Sequence, residues 1–172
     1  MVDWTTHLGL GWLVSKTKKV EKIPFLIGCV LPDLVRWLGY PFQLFIVPFY
    51  SKLIDAFLKP SHTIVGVFLL SFIASALFVN SSSRTILSLF SGGGFHLFLD
   101  TLQKARVGYG IYLFWPLSWN AYAVDLVSVF DPMPSAVTSI LCLVIFAYGR
   151  RRSKRAHRST KQSFLLEPFK VK

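Results

Sequence analysis

Thr85-Ile-Leu-Ser-Leu-Phe-Ser-Gly-Gly-Gly-Phe-His-Leu-Phe-Leu-Asp100 is the stretch that decides how this chain folds. It is mostly apolar and reads as a membrane helix, yet it carries two ionisable residues. At helical pitch, positions four apart share one face, so the His96 imidazole and the Asp100 carboxylate point the same way. Ionisable groups at membrane depth are costly. They persist where they line a cavity, pair with one another or hold an ion. Both side chains are good ligands for a divalent metal.

The rest of the chain supports a membrane setting. Its 172 residues suffice for one domain, and 53% of them are apolar, with sixteen Phe. A soluble domain of this length rarely needs so much apolar surface. The formal charge of +11 is unevenly spread. From Gly149 onward there are nine Lys or Arg and one Glu, so most of the excess sits in the tail. Gly-Arg-Arg-Arg-Ser-Lys-Arg-Ala-His-Arg follows an apolar run directly, as a juxtamembrane anchor on anionic lipid headgroups does. Nucleic acid is the weaker reading of such a tail. The two cysteines, Cys29 and Cys142, lie in apolar segments without CxxC spacing and read as buried free thiols. The start, Met-Val-Asp-Trp, lacks the basic region of a cleavable signal peptide.

Working outward, five apolar stretches emerge: Trp4 to Val14, Ile23 to Gly39, Thr63 to Val79, Thr85 to Leu102 and Ala136 to Tyr148. The first and last are short of the ~20 residues that a span needs. The second is interrupted by Pro32-Asp33 and Arg36. Tyr40 to Pro60 and Gln103 to Pro134 are rich in aromatics and proline. Trp and Tyr favour headgroup level, so both connectors read as interfacial excursions. The expected architecture is all-α: a polytopic membrane bundle of about four to five apolar helices over residues 1–148, then a basic tail over 149–172.

Lys and Arg set the orientation. With the tail cytoplasmic and the segments alternating, Lys16 to Lys22 and Asn80 to Arg84 also fall inside. The opposite connectors hold only Lys52, Lys59, Lys104 and Arg106. This places the N-terminus and both aromatic connectors on the outer face of an inner or plasma membrane.

That topology brings His7, Asp33, His62, His96 and Asp100 to one layer near the outer surface. Asp33 lies roughly 16 Å of helix beyond Lys22 at 1.5 Å per residue. Asp3 adds a second Asp/His pair at i,i+4 spacing, with His7. Nitrogen and oxygen donors without thiolate suit zinc, and also manganese or iron, in a mononuclear or dinuclear site. Each residue also has a purely structural use. Asp33 can cap a helix or pair with Arg36, and Asp100 can pair with Lys104. Gly92-Gly-Gly94 can be a packing face between helices rather than a loop near a ligand.

Several short elements in order extend the pattern: Thr6-His7-Leu-Gly, Gly28-Cys-Val-Leu-Pro-Asp33, Ser61-His62-Thr63, His96-Leu-Phe-Leu-Asp100 and Leu113-Phe-Trp-Pro-Leu-Ser118. Across Thr6 to Ser118 the chain resembles the YdjM-like family of inner-membrane proteins, regarded as metal-dependent hydrolases. The resemblance implies His7, Asp33, His62, His96 and Asp100 as metal-site residues. It also suggests kinship with an all-α superfamily of zinc-dependent phospholipases C and nucleases. Two departures stand out. Val35-Arg36 follows Leu34 where many members have a second Asp and a His, and Lys59-Pro60 occupies a stretch where many have an extra His. The reduced set argues against a multi-metal site. It leaves open a single-metal site or a non-catalytic relative.

The chemistry that follows is hydrolysis of a phosphoester or lipid phosphate. A metal would bring the pKa of water toward about 7, and Asp33 or Asp100 would act as general base. Arg36, one helical turn from Asp33, could clamp an anionic phosphate. Membrane lipids are the expected partners, with anionic headgroups at the tail. The alternative is a non-catalytic membrane protein with a structural or interaction role. A transporter reading lacks inverted repeats. There is no Walker loop and no GxSxG elbow.

Overall fold

The helix Ser83–Thr101 packs against the helices Trp4–Val14, Lys22–Gly28, Leu31–Phe45 and Ile64–Ser75. The computed structural model describes residues 4–16, 20–45, 59–79, 81–103, 111–128 and 132–166, and of 36, 40–45 and 152–166 the backbone alone. In chain order the helices are α1 (Trp4–Val14), α2 (Lys22–Gly28), α3 (Leu31–Phe45), a 3-10 turn (Lys59–His62), α4 (Ile64–Ser75), α5 (Ser83–Thr101) and α6 (Met133–Leu166). The described residues are mainly helical, with two isolated β-bridges and no β-strand.

Local chemistry fixes the ends of α5. Ser82 and Thr85 form a reciprocal capping box. Thr85 Oγ1 also donates to Glu21 Oε2 at 2.9 Å, and Glu21 N donates to Ser88 Oγ at 2.9 Å. These bonds bring the start of α2 beside the start of α5, and the two helices run parallel. Their crossing is very close. A Cβ built on Gly92 would lie 2.1 Å from the Phe25 carbonyl oxygen, and one on Gly28 would lie 2.1 Å from that of Leu89. Only glycine lets the backbones approach so far. The Gly92-Gly-Gly94 run is therefore helical, and its first member is a packing face.

α4 runs antiparallel to α5, with Val67 against Gly93 and Phe68 edge-on to Phe90. Thr63 caps it, accepting from Gly66 N at 2.9 Å while donating to the Pro60 carbonyl at 2.8 Å. α6 lies along α1, with Gly9 seated on Thr138 and Cys142. Residues 111–127 form a non-helical strap across one end. Ile64 N donates to the Leu113 carbonyl at 3.0 Å, and Val124 N and Leu126 N donate to Thr101 and Leu102 at 2.7 and 3.0 Å.

The burial pattern is that of a protein packed through small and polar residues. Buried positions include Thr6, Ser71, Ser75, Ser88 and Thr138, whereas Trp37, Phe72, Ile73, Leu87, Ile140, Leu143 and Phe146 are exposed. Small-residue interiors with apolar exteriors are what helices packing in lipid require.

The segment boundaries shift in four places. The apolar run Ile23 to Gly39 is two helices broken at Cys29-Val30. Pro32 falls in the first turn of α3, where its missing N–H costs nothing. α3 continues to Phe45, so Tyr40 to Phe45 is helix rather than excursion; residues 46–58 of that connector lie outside the described residues. α4 stops at Ser75, short of Val79. α6 starts at Met133 and passes without interruption through Gly149 into the basic tail. Among the described residues, one helix is long and apolar enough to cross a membrane: Met133–Arg151 of α6.

Candidate metal centre

Five side chains from four separate elements meet at the strap end of α5. His7 comes from α1, Asp33 from the first turn of α3, His62 from the 3-10 turn, and His96 and Asp100 from α5. The glycine crossing sets the first of these contacts. By drawing α2 onto α5 it brings the Cys29 carbonyl to 2.8 Å from His96 Nδ1. A carbonyl only accepts, so Nδ1 carries the proton. In the neutral ring, Nε2 then presents its lone pair, the tautomer that a metal ligand needs.

His96 Nε2 faces oxygen. It lies 3.3 Å from Asp100 Oδ2 and 3.8 Å from Asp33 Oδ1, yet makes no hydrogen bond with either. His62 Nε2 sits 3.2 Å from Asp33 Oδ1 and 3.9 Å from Asp100 Oδ2, with its Nδ1 held 2.9 Å from Ser61 Oγ. His7 Nε2 is 3.5 Å from Asp100 Oδ1, and its ring stacks on His96 at 4.1 Å between centroids. Asp33 Oδ2 is buried without a hydrogen bond.

Electrostatically this arrangement calls for positive charge. Two carboxylates and a nitrogen lone pair crowd together in an interior where uncompensated charge is expensive. A proton on His96 Nε2 or a shared cation would compensate. The distances fit a cation as well as a proton. A tetrahedral shell with bonds of about 2.0–2.1 Å has donor–donor edges of roughly 3.3 Å, close to the observed contacts. His7, Asp33 and His96 form one set of donors lying within 4.8 Å of one another, and His62, His96 and Asp100 form another. His96 is the vertex that they share. The i,i+4 spacing of His96 and Asp100 does put both on one face, and that face is the inner one.

Two contributors were not legible as site residues. Gln103 is buried and its amide donates to Asp100 Oδ1. The Cys29 backbone carbonyl orients His96. Neither is ionisable, so neither stands out in an apolar sequence. Asp3 and Lys104 lie outside the described residues, as does the side chain of Arg36, whose backbone is on α3 one turn beyond Asp33.

Comparison with known proteins adds one match. A family model described as YdjM inner membrane protein matches residues 2–165. No curated protein and no solved structure matches the chain.

Proposed function

The chain belongs to the YdjM inner membrane protein family, and from that premise we propose that it is a metal-dependent hydrolase of phosphoester or lipid-phosphate substrates. The observation that carries this reading is His96. Its Nδ1–H is tied to the Cys29 carbonyl, and its Nε2 faces carboxylate oxygens of both Asp33 and Asp100. A ring held that way is oriented as metal-ligating histidines are.

Three or four of His7, Asp33, His62, His96 and Asp100 are assigned to hold the ion, leaving a position for water and a carboxylate not engaged by it. Zinc suits these donors best, with manganese or iron as alternatives. Such an ion supplies Lewis acidity and makes water acidic enough to attack near neutral pH. The remaining work falls to the chain. Asp33, whose Oδ2 makes no hydrogen bond, accepts the proton of the attacking water and returns it to the leaving ester oxygen; Asp100 is the second candidate for this role. The new bond joins water oxygen to phosphorus, and the ester P–O bond breaks. Arg36 is assigned to hold the anionic phosphate.

We further propose that the bundle is polytopic, with the helices beside α6 also embedded. Exposed Trp37, Phe72, Ile73 and Leu87 support this. The cytoplasm-facing tail binds anionic headgroups in this reading.

Metal analysis of protein purified from membranes in mild detergent tests the proposal. Stoichiometric metal, lost in His96→Ala, together with phosphate-ester cleavage lost in Asp33→Asn, is the expected result. Protein without metal at every stage of purification would leave a structural membrane protein.

A further inference from the structure

The two ends of the bundle differ chemically. α1 and α6 run the same way: Thr6 Oγ1 meets Ser135 Oγ at 3.5 Å, and Cys142 Sγ meets the Gly9 carbonyl at 3.5 Å. α1 runs against α5, because His7 reaches Asp100 while Gly11 packs on Cys29. α2 runs with α5, from Glu21 at Thr85 to Cys29 at His96. Lys16, Lys22 and Arg84 therefore share one end. Arg150 and Arg151 reach that end too, since α6 rises about 1.5 Å per residue beyond Cys142. The five-residue site, the strap and Met133 occupy the other. On the site side lie Lys59 and, by its backbone position on α3 one turn beyond Asp33, Arg36.

The strap is apolar where it faces outward. Leu117 is 88% exposed, Trp119 73% and Leu126 67%, and Asp125 is the one charged residue in 111–127. Trp115, Tyr112 and Tyr122 lie on the same segment, a composition that settles at headgroup level. The strap leads within a few residues to Met133, where the membrane-competent stretch of α6 begins. That stretch, of 19 residues and so about 28 Å long, matches the hydrocarbon thickness of a bilayer. With Arg150-Arg151 at one surface, Met133 and the strap reach the opposite one. The strap is also bonded to the site: Leu113 receives the amide of Ile64, two residues after His62, and Val124 donates to Thr101, next to Asp100.

We infer that residues 111–127 form an interfacial anchor in the leaflet opposite the basic end, and that the candidate metal centre exchanges ions and lipid-borne substrate with that face. The sidedness of substrate rests on the hydrolase reading; the anchor does not. Continuity with α6 and the near absence of charge identify the occupant as lipid rather than a protein partner.

The test uses the full chain, loaded with zinc and reconstituted into sealed phosphatidylcholine vesicles. In brominated lipids, the emission assigned to Trp119 by difference from Trp119→Phe should be quenched, more by bromines near the headgroup than by deep ones. Unquenched Trp119 open to an aqueous quencher, or shielded from both, would overturn the anchor. External impermeant chelator should strip zinc from the same fraction of chains whose tails resist external trypsin. Stripping confined to chains with cleavable tails would overturn the sidedness. Protein that never takes up zinc would fail the metal reading, while the quenching result would still decide the anchor.

Discussion

Gly28 packs directly on Gly92, backbone against backbone, and this contact sets the distance from the Cys29 carbonyl to His96. A methyl on Gly92 would meet the Phe25 carbonyl, an atom with no rotamer to yield. At Gly94, two residues on, a methyl would meet nothing within 4 Å.

Gly92→Ala should therefore destabilise the protein by roughly 1–3 kcal/mol and abolish metal binding, as helix separation pulls the carbonyl from His96. Gly94→Ala should be neutral or stabilising by up to about 1 kcal/mol, because alanine favours the helix. Thermal unfolding in detergent, with metal content measured in parallel, compares the two. Equal behaviour would refute the crossing as the organiser of the site.

Gln103 holds Asp100 through its side-chain amide. Gln103→Leu keeps the volume and removes the donor. Metal affinity should fall roughly 10- to 100-fold, the usual cost of losing a group that orients a ligand. The stability of metal-free protein should change little by comparison. Competition against a chromogenic chelator measures the affinity, and an unchanged value would show that Asp100 needs no such support.

His96 belongs to both donor sets, whereas His62 belongs to one and is partly exposed. His96→Ala should remove all bound metal. His62→Ala should leave a weaker site that still fills at raised metal concentration. Mass-spectrometric metal content over a titration distinguishes them, and retention of metal by His96→Ala would break the assignment.

Ser82 starts α5 through a capping box with Thr85, which also anchors Glu21. Ser82→Ala should cost about 0.5–2 kcal/mol. Because the cap lies at the far end of α5 from His96, metal affinity should hold once the chain is folded. A loss of affinity in folded protein would contradict that separation.

Much of this arrangement was legible in the sequence because it rests on periodicity and charge. Trp4 to Val14 is α1 without adjustment, and Thr85 to Leu102 lies within two residues of α5. Grouping His7, Asp33, His62, His96 and Asp100 needed only helix direction and length. What sequence missed depends on tertiary contact. The Cys29 carbonyl acquires a role only after two glycines cross. Gln103 looks like any polar residue ending a helix. The extension of α3 past Gly39 runs through Pro41, which signals a break locally. Charge alone does not end a helix, so nothing in the sequence signalled that α6 runs on from the apolar stretch through Gly149 into the basic tail.

The pairing of the first helix with the last has a consequence for biosynthesis. Gly9 rests on Thr138 and Cys142, so α1 finds its seat only after the ribosome has made more than four-fifths of the chain. Until then His7 lacks the support that positions it over His96. Closure of so long a loop comes late in folding, and competence to capture an ion is thus acquired near the end of translation, after the other four donors have been delivered.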